Sequence, residues 1–261
     1  MRLTREDIGI WLINLPRSEE RRLRMERQLH AMGLDYIKFN AVDGRAQESE
    51  LAPFVDIPGF WRKMSRHPLP GEIGCYFSHV NVWQELAESD YSAALVLEDD
   101  VVFHEDFLDA VDIALENIDK WDMLKLNRIR AKVPVETGKI GPYSLNAYLG
   151  PATGFGAYLI TRDLARKLVP HMTPMSMPID YEATRWWHYD FKLLGLEPFP
   201  SHVDDKGYST INGSNYAGLV KPPKHKRLRN YAMRGGNYFH RLAAMLRRKG
   251  AFRQNAQSGS A

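Results

Sequence analysis

The 261-residue sequence has a single cysteine, Cys75. An internal disulfide framework is therefore excluded, and a reducing compartment is expected. Nowhere does the chain hold the roughly 18 uninterrupted apolar residues that a membrane-spanning helix requires. Its first twenty residues, MRLTREDIGIWLINLPRSEE, carry an apolar stretch too short and too broken for a signal peptide. The expectation is a protein of the cytosol or of a membrane face. Internal repeats are absent, so a repeat array is excluded. From Lys221 onward there is no Asp or Glu, while eleven Lys and Arg residues fall there. The net charge of +3 thus conceals an acidic body, residues 1–220, and a basic tail, residues 221–261.

What is present points to a globular α/β domain. Hydrophobic residues make up 44% of the chain and charged residues 26%, enough apolar material for a sizeable core. Ile8 to Leu15 reads as a buried strand stopped by Pro16, and Ser18 is placed to cap a helix that ends at Gly33. YIKFNAV reads as a second strand, and residues 46–70 look irregular. Over Glu72 to Glu88, Ile73, Tyr76, Phe77, Val80, Trp83 and Ala87 fall on one helical face. Ala93 to Leu97 is a strand, Asp106 to Ile118 a helix and DMLKLN a strand. Residues 130–150 read as a loop and GFGAYLI as a strand. A helix follows from Thr161 to Leu168, then another over PIDYEATRWWHYDFKLL, entered through Pro178. LEPFPSHV closes the pattern as a strand. Such alternation predicts a mainly parallel sheet covered by helices. Ligands of these sheets bind beyond the carboxyl ends of the strands, which puts Asn14, Asp43, Glu98, Asp99, Asp100 and Asn127 near one rim.

The strongest signal is LVLEDDVVF, residues 95–103. Three consecutive carboxylates, Glu98, Asp99 and Asp100, end a strand that can be buried, and their mutual repulsion calls for a positive partner. A hard divalent cation fits, because Mg²⁺ or Mn²⁺ takes one or two carboxylates and fills its other positions with phosphate oxygens and water. A metal that clamps a diphosphate is one reading, and a solvated turn is the other. In GEIGCYFSHVNVW, Gly71 and Gly74 allow close approach at a helix start. Cys75, Ser78 and His79 are then either ligand-facing or simply packed. Asp180, in the first turn of a helix whose dipole favours an ionised carboxylate, is either a general base or an ordinary helix-start acid, with Glu182 as its neighbouring alternative. His202, Asp204 and Asp205 are further metal candidates, and Trp186 and Trp187 read first as core and surface residues, with a sugar-stacking role in the acceptor groove as the alternative for one of them. In the tail, Tyr238, Phe239, Leu242, Met245 and Leu246 form a helical stripe. Arg241, Arg247 and Arg248 lie mostly away from it, a pattern suited to an anionic membrane surface. A solvated tail or a nucleic-acid arm is the alternative.

Four stretches in order, INLPRSEERRLRM, GEIGCYFSHVNVWQEL, ALVLEDDVVF and GFGAYLITRDLARKL with MPID close behind, together resemble glycosyltransferase family 25. This family comprises bacterial lipooligosaccharide galactosyltransferases and collagen galactosyltransferase relatives. The resemblance runs from about residue 8 to 211 and leaves the basic tail outside. It implies a GT-A-type fold with a mainly parallel mixed sheet, a Mn²⁺ or Mg²⁺ ion, a UDP-sugar donor and inversion at the anomeric carbon. Carried onto this sequence, Asp100 binds the metal, Glu98 binds the metal or the ribose, and Asp99 lies beside them. Asn14 lies by the nucleotide, with Asp43 and Lys125 as further candidates, and Asp180 faces the acceptor as the base. Cys75, Ser78 and His79 fall on the family's GCxxSH motif. The implied reaction is transfer of galactose to a saccharide hydroxyl of lipooligosaccharide or lipopolysaccharide, with the tail on the cytoplasmic face of the inner membrane and no nucleic-acid partner. Two other classes remain in view. One is a metal-dependent nucleotidyltransferase acting on sugar phosphates, although the usual Gly-rich basic loop is missing after the first strand. The other is a non-enzymatic protein binding membrane or nucleic acid.

Overall fold

The computed structural model describes residues 2–128, 130–204 and 228–258. Its elements run β1 (Ile8–Asn14), α1 (Glu19–Ala31), β2 (Ile37–Asn40), α2 (Glu48–Leu51), α3 (Ile57–Met64), α4 (Pro70–Glu88), β3 (Ala93–Glu98), β4 (Val101–Phe103) and α5 (Phe107–Glu116). There follow β5 (Met123–Lys125), β6 (Arg130–Ala131), β7 (Pro134–Ile140), β8 (Tyr143–Tyr148), β9 (Ala152–Thr153), β10 (Ala157–Thr161) and α6 (Arg162–Leu168). The last are α7 (Ile179–Glu182), α8 (Trp186–Tyr189), β11 (Leu193–Glu197), β12 (Ser201–Val203) and α9 (Leu228–Ser258).

Among the described residues the main sheet has the order β2-β1-β3-β10-β5-β11-β8-β7. Strands β2, β1 and β3 are mutually parallel, as are β5 and β11, while β10 runs antiparallel between β3 and β5. This is the expected mixed sheet with helical cover, consistent with a GT-A-like fold. All seven residues of β1 are buried, as befits a strand covered on both faces. Ile8, Ile10 and Leu12 join a core with Met25 and Leu29 of α1 and Phe107 and Val111 of α5. The intervening Trp11 and Ile13 join a second core with Tyr76, Val80 and Trp83 of α4. The two-residue period of β1 therefore sets two hydrophobic layers on opposite faces. Because β10 is reversed, its start at Ala157 meets the ends of β3 and β5, and just before it the Gly156 carbonyl accepts from the Glu98 amide at 2.7 Å.

Four local expectations change. Ser18 stands at the head of α1, but its side chain makes no cap bond. Residues 46–70, expected to be irregular, contain α2 and α3. Residues 130–150, expected to be a loop, hold the β7–β8 hairpin, which extends the sheet through β8 and β11. The single helix expected after Pro178 is two four-residue helices, and its FKLL end turns into β11. Thr184 back-bonds to the Asp180 carbonyl at 2.7 Å, and Asp190 adopts φ 48°. Both features end a helix locally. The tail helix α9 touches the domain through Asn230, which donates to the Lys63 carbonyl at 2.8 Å, and through the buried Arg241. The Arg241 guanidinium lies 4.7 Å from the centre of the Trp187 ring and donates to the Leu149 carbonyl at 3.2 Å. Phe239, Leu242 and Leu246 of the same helix are exposed. No helix among the described residues is long and apolar enough to cross a membrane.

Candidate active site

The parallel strands β1 and β3 end side by side, and the carboxylate triplet lies just past that edge. Its three members point to three different sets of neighbours. Asp99 accepts from Asn14 Nδ2 at 2.6 Å and from Arg21 Nη1 at 3.0 Å. Glu98 accepts on Oε1 from the Cys75 thiol at 3.8 Å and lies 3.1 Å from His79 Nε2. Asp100 Oδ2 is 3.5 Å from Arg21, while its Oδ1 is buried with no hydrogen-bond partner among the described residues. Arg21, on the first turn of α1, is thus the positive group that relieves part of the repulsion. The three carboxyls titrate differently as a result. Burial pushes Glu98 up, but the bonds from His79 and Cys75 and the charge of Lys125 outweigh it and bring the group below its ordinary range. Burial raises Asp99 despite Asn14 and Arg21. Asp100 is pushed up to about 7, first by burial and then by its two acidic neighbours.

Facing the triplet, the first half of α4 and the turn after β2 form the opposite wall of an open cleft. Ile13, Arg17, Asp43, Gly71, Cys75 and His79 line it together with Glu98, Asp99 and Asp100. The Ser78 hydroxyl donates to the Gly74 carbonyl at 2.7 Å and accepts from the Val42 amide at 2.8 Å, which ties the turn to the helix. A Cβ at Gly44 would collide with the Pro70 carbonyl, and one at Gly74 with the Val42 carbonyl. Both glycines are needed for this approach of backbone to backbone. Asp43 pairs with Arg17 and accepts from the Arg45 amide at 3.1 Å.

Lys125 ends β5 and is buried. Its ammonium donates to the Gly154 carbonyl and stands 4.7 Å from the centre of the Phe155 ring. Burial brings it down to about 8, partly countered by Asp180 and Glu98. Asp180, in the first turn of α7, is pushed up to about 6 by burial, with Lys125 and the Gly154 amide pulling the other way. Its environment is therefore set by desolvation and Lys125. The helix dipole expected to hold it ionised has little to offer from a four-residue helix. Lys125, expected at the nucleotide, is electrostatically coupled to both Asp180 and Glu98 and so links the two parts of the site.

The remaining candidates scatter. His202 is exposed and hydrogen-bonds His104, Nδ1 to Nε2 at 2.9 Å. Asp204 pairs with Arg24 at 2.8 Å, although its amide donates to the Asp100 carbonyl at 2.8 Å. Asp205 lies outside the described residues. Glu182 is buried and taken up by Arg185 and Tyr189, each at 2.6 Å. Trp186 is buried, and Trp187 lies against Arg241. Asn127 is fully buried with neither amide atom hydrogen-bonded among the described residues. A hard divalent cation fits the donor set, because Asp100 Oδ1 is a buried oxygen with nothing to accept from, on a carboxyl that burial and like charge disfavour as an anion. Arg17, Arg21, Tyr158 and Trp83 are site residues that sequence reasoning missed. Arg17 and Arg21, four apart around the start of α1, carried a legible signal: the charge the triplet needs.

A family model described as glycosyltransferase family 25 (LPS biosynthesis protein) matches residues 7–182. Human procollagen galactosyltransferase 2 is 34% identical over 219 residues, which cover 74% of this chain and 35% of that protein. A glycosyltransferase 25 family member of Anopheles gambiae is 33% identical over 229 residues, 83% of this chain and 36% of its own length. A mouse protein named inactive glycosyltransferase 25 family member 3 is 27% identical over 217 residues, 74% of this chain and 37% of its own. The chain spans about a third of the length of the curated relatives it matches.

Proposed function

The chain belongs to glycosyltransferase family 25, and from that premise we propose that it transfers a sugar, galactose foremost, from a UDP-sugar to a saccharide hydroxyl with inversion. A relative carries the name inactive, so membership by itself does not establish turnover. The observation that carries the proposal is Asp100 Oδ1, buried without a hydrogen-bond partner among the described residues, on a carboxyl that lines the cleft with Glu98 and Asp99. Asp100 with Glu98 would hold Mn²⁺ or Mg²⁺. The ion supplies charge neutralisation to the departing diphosphate. Asn14, Arg17 and Asp43 line or edge the part of the cleft assigned to the nucleotide.

Asp180 serves as the general base. A carboxyl at about 6 is mostly ionised at neutral pH yet basic enough to accept a hydroxyl proton. As the acceptor oxygen bonds to the anomeric carbon from the face opposite the diphosphate, its proton passes to Asp180 and the sugar–phosphate C–O bond breaks. Lys125 stabilises the ionised base beforehand and the cleft's negative charge afterwards.

The acceptor we propose is a lipooligosaccharide or lipopolysaccharide saccharide at the cytoplasmic face of the inner membrane. Residues 1–220 carry the transfer, and residues 221–261 carry the lipid contact. Support comes from the acid-free basic tail and from the exposed Phe239, Leu242 and Leu246 of α9. The deciding experiment incubates the protein with a panel of UDP-sugars and Mn²⁺ and measures the nucleotide product. Release of UDP that EDTA stops supports transfer. Pyrophosphate release would instead indicate nucleotidyl transfer, and no turnover with any donor would leave a binding protein.

A further inference from the structure

Helix α4 carries a buried histidine that the transfer step does not use. His79 is fully buried, with Nε2 3.1 Å from Glu98 Oε1 and Nδ1 2.9 Å from the Tyr158 hydroxyl. The same hydroxyl receives the Trp83 indole N–H at 2.8 Å, and Tyr158 and Trp83 are fully buried as well. The protonation of this chain of groups follows from what each can do. An indole nitrogen only donates, so the Tyr158 oxygen accepts there. Its own hydrogen needs an acceptor, because a buried hydroxyl left unpaired is costly. Among the described residues His79 Nδ1 is the acceptor within reach. Nδ1 is then bare, and the neutral ring carries its proton on Nε2, facing Glu98. The opposite tautomer would set a lone pair against the carboxylate and strand the Tyr158 hydrogen. A doubly protonated ring would strand that hydrogen too.

Cys75, His79 and Glu98 place their ligand atoms within 4.8 Å of one another, which is close enough to hold a soft divalent ion. An ion there would need the Nε2 lone pair, and the wiring above puts a proton on it. We propose that Trp83, Tyr158 and His79 form a one-way hydrogen-bond relay that fixes the Glu98 carboxylate in the cleft. His79 is then a positioning residue for the nucleotide-sugar donor and not a metal ligand. The donor's identity rests on the transfer reading. The relay itself is a property of the ligand-free protein.

Two measurements test it. In ¹⁵N-histidine-labelled protein, long-range proton–nitrogen correlation spectra should show a ring of the neutral Nε2–H form that disappears in His79→Gln. Tyr158→Phe, which keeps the ring and removes the hydroxyl, should shift that signal. A bare Nε2 at His79, or a thiolate–cobalt absorption on adding Co²⁺ that Cys75→Ser removes, would overturn the relay. By titration calorimetry, His79→Leu should weaken UDP-sugar binding about tenfold, roughly the worth of one charge-assisted hydrogen bond. His79→Gln, which can still donate to Glu98, should restore most of it. Equal affinity in wild type and His79→Leu would also overturn the proposal. If the wild type binds no UDP-sugar at all, the transfer reading fails, and the spectra alone decide the relay. Should a variant fail to fold, the wild-type spectrum still distinguishes a protonated Nε2, which supports the relay, from a bare one, which overturns it.

Discussion

On the wall built by β1, β3, α1 and α4, Glu98 and Asp99 are met by His79, Cys75, Asn14 and Arg21 at bonding distance. On the wall built by β5 and α7, Lys125 is buried and Asp180 half-buried, and neither belongs to an ion pair among the described residues. The first arrangement fixes positions. The second moves titration points toward neutrality, Asp180 to about 6 and Lys125 to about 8, because burial outweighs the opposing charges and, at Asp180, the Gly154 amide. Proton transfer needs groups of the second kind, and substrate placement needs groups of the first. Asp100 is the exception on the placing wall, pushed to about 7 with one oxygen unpartnered among the described residues. That is the condition expected of a carboxylate completed by a cation.

Breaking the exception should have the largest effect. Asp100→Ala is expected to abolish Mn²⁺-dependent UDP release, a loss of at least ~10³-fold if the ion contributes several kcal/mol. Full activity in EDTA would remove Asp100 from this role. On the other wall, Asp180→Asn should lower kcat by ~10²–10⁴-fold with donor affinity retained. Loss of donor affinity instead would move Asp180 to the donor side. The wild-type kcat should also fall tenfold per pH unit below about 6, and this limb should vanish in Asp180→Asn. Smaller in size is a stability effect of opposite sign to the activity loss. A folded-state carboxyl raised to about 7 binds its proton more tightly than in the unfolded chain. The stability it contributes is therefore present in acid and lost as pH climbs from the ordinary aspartate range to about 7. Asp100→Asn should accordingly stabilise the metal-free protein by ~1–3 kcal/mol at pH 7.5 and hardly at all near pH 4, as read by urea unfolding. Least of all, replacing exposed Phe239, Leu242 and Leu246 by Ser should reduce sedimentation with anionic vesicles and leave activity on a soluble saccharide within about twofold. Deleting α9 would be a poorer test, because it also removes Arg241 from Trp187.

Much of the placing wall was legible in the sequence. Its strands are continuous apolar runs, the α4 stripe has a clear helical period, and an acidic triplet at the end of a buried strand asks for a partner. The wall of Lys125 and Asp180 was harder to read, because its residues meet only in space. Lys125 and Asp180 lie fifty-five positions apart, and a lone Lys at a strand end looks the same beside a nucleotide or beside a base. The break between α7 and α8 was hidden because four-residue helices share the composition of one long helix. What ends them is local: the back-bond of Thr184 and the left-handed turn at Asp190. The β7–β8 hairpin was missed because β7, PVETGKI, is a mostly exposed edge strand with no apolar alternation to betray it.

Strand β10 has a consequence for how the molecule is made. It enters the sheet between β3 and β5, yet it is synthesised after both, roughly sixty residues later than the end of β3. Until Thr161 has left the ribosome, β3 and β5 each present an unsatisfied flank to whatever strand passes by. Nascent chains of this protein are therefore expected to spend that interval exposed to mispairing and dependent on chaperones, and rare codons before residue 157 should lower its soluble yield more than rare codons after residue 161.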